Sequence, residues 1–250
     1  MKNTTGLARE DIHALCDLIT ERIPRQEWTW PPVLGLYDSV VVALTYLRRN
    51  RVQAEIAETF EVSQPTISRA ICTVTPMIET VLREFVPTVE DLDDRVQYLV
   101  DGTLVPCWSW ADHPELFSGK HKTTGMNLQV AATLTGELAW ICDPVDGARH
   151  DVACLDLSGA LDGRQPGDWI GDKGYVGRGM ITPIKKPTHR ALLHWEKEFN
   201  QQINKVRAAI ERVIAHFKNW TIMHTDYRRP LRTLKNTIST VTALHFWATA

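Results

Sequence analysis

The chain has 250 residues and a formal net charge of −2. This length allows one large domain or two small ones. The longest apolar runs, such as residues 39–44, are too short to cross a bilayer, so no membrane partner is expected. Glu10 and Asp11 stand where a secretory signal would be apolar, and the five cysteines lack metal-binding spacing. Both observations favour a reducing, cytoplasmic location.

Acidic and basic residues are concentrated in different parts of the chain. Residues 79–172 contain 6 Lys and Arg against 17 Asp and Glu, whereas residues 173–250 contain 14 against 4. The basic part suggests a surface for an anionic partner. The acidic part would repel DNA unless metal cations neutralise it, and a solvated acidic surface explains the same charges equally well.

The N-terminal part is predicted to be helical and to contain a helix-turn-helix. Apolar residues recur at helical spacing over residues 7–21 and 37–50. Within the segment 53–69, Ala57 is small enough for two helices to cross, and Val62 fills the turn between them. A helical hairpin that serves only packing is the alternative.

The second helix of this motif is predicted to follow Ser63 as its N-cap, with Pro65 in the first turn. Side chains facing outward on this helix, together with basic residues upstream, are the candidate DNA contacts. They are Arg48, Arg49, Arg51, Gln64, Thr66, Ser68 and Arg69. The turn carries Glu61 where glycine is usual, and a strained residue there is expected to cost about 1 kcal/mol.

The remainder of the chain reads as a mixed α/β domain. Strands are predicted at residues 95–100, 126–134, 138–142 and 169–170, a possible strand at 180–184, and helices at 150–161 and from 188 onward. The leading strands are expected to be antiparallel, with a hairpin turn at Thr135 and Gly136. The chain is therefore divided into a helical DNA-binding domain, residues 1–90, and a mixed domain, residues 91–250.

Three acidic residues from separate segments form the candidate centre. Asp101 and Asp172 each follow a short apolar strand and would be neighbours if these strands pair. Glu211 follows Ile210 on the edge of an apolar helical stripe that is expected to face the sheet. Carboxylates gathered in this way suit a two-metal phosphoryl-transfer site. As alternatives, the aspartates could be ordinary turn residues, and Glu211 could pair with Arg207 on an exposed face.

An ordered set of short motifs carries a family resemblance. The motifs are Tyr98–Thr103, His150–Asp151, Gly171–Tyr175, Thr182–Lys186, Phe199–Asn200 and the series Arg207, Glu211, Lys218. With them, residues 38–247 resemble the DDE transposases of bacterial insertion sequences, in the branch related to Harbinger-type endonucleases. The resemblance implies an α/β RNase H-like core preceded by an all-α helix-turn-helix domain. It also implies that Asp101, Asp172 and Glu211 are catalytic and hold two Mg²⁺ (or Mn²⁺) ions.

The family pattern implies further roles near this centre. His150 and Asp151 would lie beside the active site, in a supporting role rather than as metal ligands; an N-cap pair is the alternative. Arg207 and Lys218 would grip phosphates, with ordinary surface charge as the alternative. Related transposases often carry Tyr where this chain has Asn204.

Two other features lie between the first and second predicted strands. Trp108 and Trp110 could stack on an unpaired base, although burial in the core is favoured. Lys120, His121 and Lys122 form a polar loop, for which DNA contact and a solvated hairpin tip are equal alternatives.

The function that the resemblance implies is cut-and-paste DNA transposition. The protein would bind terminal inverted repeats, hydrolyse a phosphodiester at each transposon end and join the freed 3′-OH to target DNA. Expected partners are double-stranded DNA and at least one further copy of the chain on that DNA, at the nucleoid. One alternative is a DNA-binding regulator with an inactive, domesticated core. Another is a nuclease of RNA–DNA hybrids, against which the helix-turn-helix argues.

Overall fold

The structure is a computed structural model that describes residues 2–108 and 112–249. The chain forms two compact units. The helical unit contains the residues up to Val86 together with those from Lys218 onward, and the sheet unit is Pro87–Phe217. In the described part of the chain, none of the helices combines the length and the apolar character that crossing a membrane requires.

The α-helices, in chain order, are α1 (Lys2–Thr5), α2 (Arg9–Arg22), α3 (Gly35–Arg49), α4 (Gln53–Thr59), α5 (Gln64–Leu82), α6 (Asp151–Ser158), α7 (His194–Phe217) and α8 (Leu234–Trp247). The strands are β1 (Tyr98–Pro106), β2 (Phe117–Ser118), β3 (Thr123–Thr133), β4 (Leu138–Ile141), β5 (Val145–Asp146) and β6 (Trp169–Ile170). The predicted helices and the main predicted strands are therefore present, with boundaries shifted by a few residues.

The core of the helical unit is built around α5, which packs against α3 on one side and α8 on another. Ile67, Ile71 and Val74 recur at spacings of three and four and are fully buried. Helix α8 contributes Val241 and Leu244 to the same core. The C-terminal segment, which was predicted to belong to the mixed domain of residues 91–250, thus packs with the N-terminal helices.

The helix-turn-helix comprises α4, α5 and the turn between them. Glu61 has φ 51°, so the turn keeps the left-handed residue that glycine usually supplies, and the predicted register is confirmed. Val62 donates its backbone N–H to Ala57 O at 3.1 Å, which closes the turn. Ser63 is the N-cap residue, but its hydroxyl bonds Thr66 Oγ1 at 3.0 Å instead of a backbone N–H.

The sheet of the second unit has the order β2-β3-β1-β6, and β4 and β5 also pair with β3. Strand β1 is antiparallel to β3 along its whole length, with Asp101 opposite Val130. It is parallel to β6, with Leu99 opposite Ile170. The predicted end of the first strand at Asp101 was wrong: the β-branched and apolar residues 103–105 continue the ladder with β3.

The possible strand at 180–184 is reduced to one bridge between Ile181 and Ile170. The hairpin turn between β3 and β4 is confirmed, since Gly136 has φ 90° and donates to Thr133 O at 3.0 Å. Mixed pairing, with an antiparallel meander and one parallel strand beside β1, gives the mixed α/β architecture that was predicted. This order is consistent with an RNase H-like core.

Helices α6 and α7 pack on the sheet, α6 on β3 and α7 on both β1 and β3. Val100 belongs to a buried cluster with Leu155 of α6. Because successive side chains of a strand point to opposite faces, Asp101 points toward the other face, where α7 lies. Most of the predicted stripe of α7 is buried, whereas Val206 is exposed.

Candidate active site

Asp101 lies in the middle of β1 and is held by two hydrogen bonds. Its Oδ1 accepts the Gly102 N–H at 2.9 Å, and its Oδ2 accepts Arg207 Nη2 at 2.8 Å. Both side chains of the ion pair are largely buried, Arg207 being 12% and Asp101 16% exposed. Burial raises the pKa of Asp101, and the negative charge of Asp172 raises it further, while the Arg207 and Lys120 charges oppose both effects.

Asp172 follows β6 and begins a short 3-10 turn, where its Oδ1 accepts the Gly174 N–H at 2.6 Å. Since Leu99 and Ile170 are register partners, Asp101 and Asp172 each come two residues after a paired position. The prediction that these strands pair is confirmed, and the register places Asp101 and Asp172 at equivalent positions of neighbouring chain segments.

Glu211 is not grouped with the two aspartates. It lies on α7 and is exposed, and Arg207, four residues earlier, is the side chain of α7 that reaches Asp101. Four residues advance a helix by about 6 Å, so the turn that carries Glu211 is displaced along the sheet from Asp101. Arg207 is thus the residue of α7 seen in contact with Asp101, and the place of Glu211 in the site stays a prediction.

The two aspartates provide the hard oxygen donors that a divalent cation such as Mg²⁺ takes in proteins. In the ranges that the structure describes, however, no group of three His, Cys, Asp or Glu side chains has the arrangement of a metal site. The Arg207 guanidinium instead supplies the positive charge beside Asp101. Its Nε is buried and has no hydrogen-bond partner among the described atoms. The two aspartates thus fit a divalent cation in their chemistry, and in the described ranges no further acidic, His or Cys side chain completes a group of three with them.

A buried polar network lies beside the aspartates and was not foreseen from the sequence. Asp151, the first residue of α6, accepts Lys120 Nζ at 2.6 Å and Asn127 Nδ2 at 2.9 Å. Gln129 Nε2 donates to Asn127 Oδ1 at 3.1 Å, and Tyr175 Oη donates to Gln129 Oε1 at 2.5 Å. The available signal was Asn127 and Gln129, two polar residues on one face of the otherwise apolar central stretch 126–132 of β3.

The network determines the place of the predicted supporting pair. His150 is the N-cap residue of α6 and is exposed, and its side chain makes no capping bond. Asp151 is buried, which raises its pKa, but the hydrogen bonds from Asn127 and Lys120 outweigh this effect and lower the pKa overall. The carboxylate of Asp151 therefore holds other side chains of the site, and the N-cap pair is not formed.

The candidate DNA contacts of the helical unit fall into two groups. Arg49, Arg51, Gln64 and Arg69 are exposed, and Ser68 is half-buried. The predicted outward orientation of Thr66 was wrong, because its side chain is buried and its hydroxyl bonds Ser63 Oγ.

Two candidate cations of this unit are partly withdrawn from solvent. The Arg48 guanidinium lies over the Trp220 ring, 5.5 Å from its centroid. Desolvation there lowers the pKa of Arg48, as does the adjacent charge of Arg49. Lys218 belongs to the helical unit as well, and burial lowers its pKa.

The predictions for the segment after β1 have mixed outcomes. Trp108 is 52% exposed, which contradicts its expected burial in the core. Trp110 lies outside the described residues. The polar loop is a hairpin tip between β2 and β3, closed by Lys122 N–H donating to Ser118 O at 2.8 Å.

Comparison with known proteins matches both units. Residues 100–245 match the model of the DDE superfamily endonuclease family, and residues 32–84 match the helix-turn-helix of DDE superfamily endonucleases. The chain is 31% identical to a protein of Streptomyces albus G named as a transposase for insertion sequence element IS112, over 77% of this chain and 73% of that protein.

A second relative, named as a transposase for insertion sequence element IS702 of Microchaete diplosiphon, is 23% identical over 91% of this chain and 86% of its own length. No solved structure matches. The family model covers more than half of the sequence and includes Asp101, Asp172 and Glu211. The chain therefore belongs to the DDE superfamily endonucleases.

Proposed function

We propose that this transposase-family protein binds the terminal inverted repeats of a mobile element, hydrolyses a phosphodiester at each end and transfers the freed 3′-OH to target DNA. The observation that carries the proposal is the pair Asp101, on β1, and Asp172, just after the adjacent parallel strand β6, in a chain that also contains a helix-turn-helix. Acidic residues on a sheet, in a chain that also carries a duplex-binding motif, suit metal-dependent chemistry on DNA phosphates.

Asp101, Asp172 and Glu211 are the residues that would hold two Mg²⁺ or Mn²⁺ ions. When bound, such ions supply activation of the attacking oxygen and stabilisation of the leaving one. Arg207 keeps the Asp101 carboxylate fixed on β1 and offsets its charge while the site is being assembled. Glu211 completes the set by a change of its exposed side chain or of the neighbouring turn of α7.

The helical unit supplies sequence recognition in this proposal. The exposed residues Gln64 and Arg69, with Ser68, lie on the face of α5 that would enter the major groove. Arg49 and Arg51 precede α4 and would contact backbone phosphates. Cutting two ends together requires at least two copies on one DNA, and such an assembly would reside at the nucleoid.

A regulator that binds DNA through the same motif but no longer cleaves it is the second candidate. It is favoured by the exposed position of Glu211 and by the Arg207 guanidinium on Asp101, which together leave the acidic site incomplete. The two candidates share their DNA binding and differ in catalysis alone.

Cleavage of a supercoiled plasmid carrying the element's terminal repeats, with Mg²⁺ or Mn²⁺, separates the two candidates. Wild type is compared with Asp101→Asn, Glu211→Gln and, as a control on the same helix, the exposed Glu198→Gln. We expect cuts at the repeat ends from wild type and the control. Each of the other two variants should lose about 10²–10³-fold or more in rate, as when an electrostatic stabiliser of a transition state is removed.

The outcomes show separately whether the protein cleaves DNA and whether Glu211 takes part in cleavage. Binding to the repeats without cleavage by wild type would support the regulator. Normal cleavage by Glu211→Gln, with loss in Asp101→Asn, would keep the transposase and remove Glu211 from its site.

A further inference from the structure

Lys120 lies in the hairpin tip between β2 and β3, and its ammonium group is held by one ion pair. Its Nζ donates to Asp151 Oδ2 at 2.6 Å, and its side chain is still 50% exposed. The tip itself is fixed, since Lys122 N–H bonds Ser118 O and His121 N–H bonds Ser118 Oγ. An ammonium has three N–H donors, so Lys120 has donors left for a further acceptor.

The anchor on which Lys120 rests is rigid. Asp151 is 9% exposed, and its second oxygen is held by Asn127, which is in turn held by Gln129 and Tyr175. The members of this chain from Tyr175 to Asp151 are all buried. A carboxylate fixed from behind in this way fixes the ammonium in front of it.

The anchor also lies next to the catalytic strand. A Cβ built on Gly102 would stand 2.3 Å from Asp151 Oδ1, so this carboxylate packs directly on the backbone that follows Asp101. The charges of Asp151, Asp172 and Asp101 all favour the protonated form of Lys120 and raise its pKa, although its partial burial opposes them. A permanent positive charge is thereby kept within electrostatic reach of both aspartates.

A simple stabilising ion pair accounts poorly for this arrangement. A pair in which one partner is half exposed contributes only about 0–1 kcal/mol to folding, and it does not require four buried residues behind it. Two aspartates beside a phosphodiester, in contrast, present three negative groups to one another, and a fixed cation lowers the cost of bringing the phosphate in.

We propose that Lys120 contacts the phosphate at the cleavage site and that Asp151 is the residue that positions it. This inference rests on the proposed function, since it assigns the phosphate that the Asp101 and Asp172 pair would act on. Lys120 donates to a non-bridging oxygen of that phosphate while it keeps its bond to Asp151. As a point charge it binds the phosphate without fixing the orientation of the group, which the aspartates determine.

The test combines a cleavage rate with the binding of a neutralised phosphate. Wild type, Lys120→Ala, Lys120→Ala/Asp151→Asn and Lys122→Ala each receive a repeat-end duplex with an ordinary phosphate or an uncharged methylphosphonate at the cleavage position. Lys122→Ala removes the same charge from the same hairpin tip and is the matched control. The double variant avoids an unpaired buried Asp151 and decides the matter if the single variant does not fold.

We expect Lys120→Ala to cut about 100-fold more slowly than wild type in single turnover, as for loss of one preorganised donor. Lys122→Ala should stay within about threefold of wild type, as for a surface change. Methylphosphonate should weaken binding by wild type and Lys122→Ala, and it should weaken binding by Lys120→Ala clearly less, because one of the groups that sense the phosphate charge is gone. If Lys120 had only a structural role, its removal would leave the effect of the methylphosphonate on binding unchanged.

Either of two results would overturn the inference. If wild type cuts and Lys120→Ala cuts at the same rate, or is weakened by the methylphosphonate as much as wild type is, Lys120 does not contact this phosphate and the proposed function stands. If wild type binds repeats but neither cuts nor distinguishes the methylphosphonate, the proposed function fails and the assignment of Lys120 fails with it.

Discussion

The helix-turn-helix and the aspartate site are built on different principles. In the motif, the turn at Glu61 and the exposed Arg69 lie within one short stretch of chain, so local patterns define them. In the site, Asp101, Asp172 and Arg207 come from a strand, a loop and a distant helix, and only the pairing of β1 with β6 and the packing of α7 bring them together. Local sequence therefore specifies the first region almost directly, and the second only through the fold.

The largest change in stability is expected where the Asp151 carboxylate packs closely on the backbone of Gly102. Gly102→Ala places a Cβ 2.3 Å from Asp151 Oδ1, and the carboxylate cannot retreat without losing its bonds to Asn127 and Lys120. We expect a loss of about 1–3 kcal/mol in the free energy of unfolding, measured by denaturant titration. Gly119→Ala, where nothing lies within 4 Å of the added carbon, should change stability by less than about 0.5 kcal/mol. Equal losses in both variants would contradict the close approach.

Two arginines of the helical unit distinguish DNA contact from packing. Arg69→Ala removes an exposed side chain of α5, and we expect affinity for the repeats to fall about tenfold and the salt dependence to weaken. Arg48→Ala removes the cation over Trp220 and should lower stability by about 0.5–1 kcal/mol, with a smaller change in affinity. Anisotropy titrations at two salt concentrations and thermal unfolding measure both quantities, and a reversed pattern would exchange the two roles.

Replacing glutamate by glycine is expected to raise stability in the turn of the motif and to lower it three residues earlier, inside α4. Glu61→Gly relieves a left-handed backbone at φ 51° and should stabilise the protein by about 1 kcal/mol. Glu58→Gly, at an exposed position inside α4, should destabilise it by about the same amount. Denaturant midpoints of the two variants measure the difference. Destabilisation by both would show that the turn is not left-handed.

The smallest effect concerns the start of α7, the helix that carries Arg207. Glu196 accepts Arg190 Nη1 at 2.6 Å and the Leu193 N–H at 2.7 Å, and these bonds lower its pKa from 4.5 to about 2. A lowered pKa means stability that is present above 4.5 and lost as the pH falls toward 2. Glu196→Gln should therefore lower the unfolding temperature at pH 7, with a difference from wild type that vanishes near pH 2.

Glu198→Gln, on the same turn of helix but 62% exposed, is the control and should change stability at pH 7 by less than about 0.5 kcal/mol. A Glu196→Gln difference that stays constant from pH 7 to pH 2 would mean that the carboxylate charge does not stabilise the start of α7.

Sequence patterns were sufficient to predict the main helices and strands and the pairing of the two strands that carry the aspartates to neighbouring positions. Helical spacing located α3, α5 and α7, and apolar runs located β3, β4 and β6, because burial of one face imposes the period. Pairing of the strands that precede Asp101 and Asp172 was also predictable. The contact of Arg207 with Asp101 was not, since helical periodicity gives the face of α7 but not which turn of that face stands over Asp101. The place of Glu211 in the site stays a prediction.

Other features depended on contacts that no local pattern encodes. The bond between Lys120 and Asp151 joins positions 31 apart in sequence, and a lysine in a polar loop looks the same with or without such a partner. Thr66 was misplaced although the start of α5 was predicted correctly: it stands one turn before the buried Ala70 and so lies on the buried face of the helix. The association of α8 with α5 was missed because its apolar surface would suit either unit.

The discontinuity of the helical unit has a consequence for biosynthesis. Helix α8 contributes Val241 and Leu244 to the core beside α5, and Thr240 Oγ1 donates to Thr75 O at 3.2 Å. All of Pro87–Phe217 leaves the ribosome between these two helices, a delay on the order of 10 s at typical elongation rates. On the nascent chain, the sheet unit is therefore complete first, and the unit with the helix-turn-helix matures only when α8 has been made.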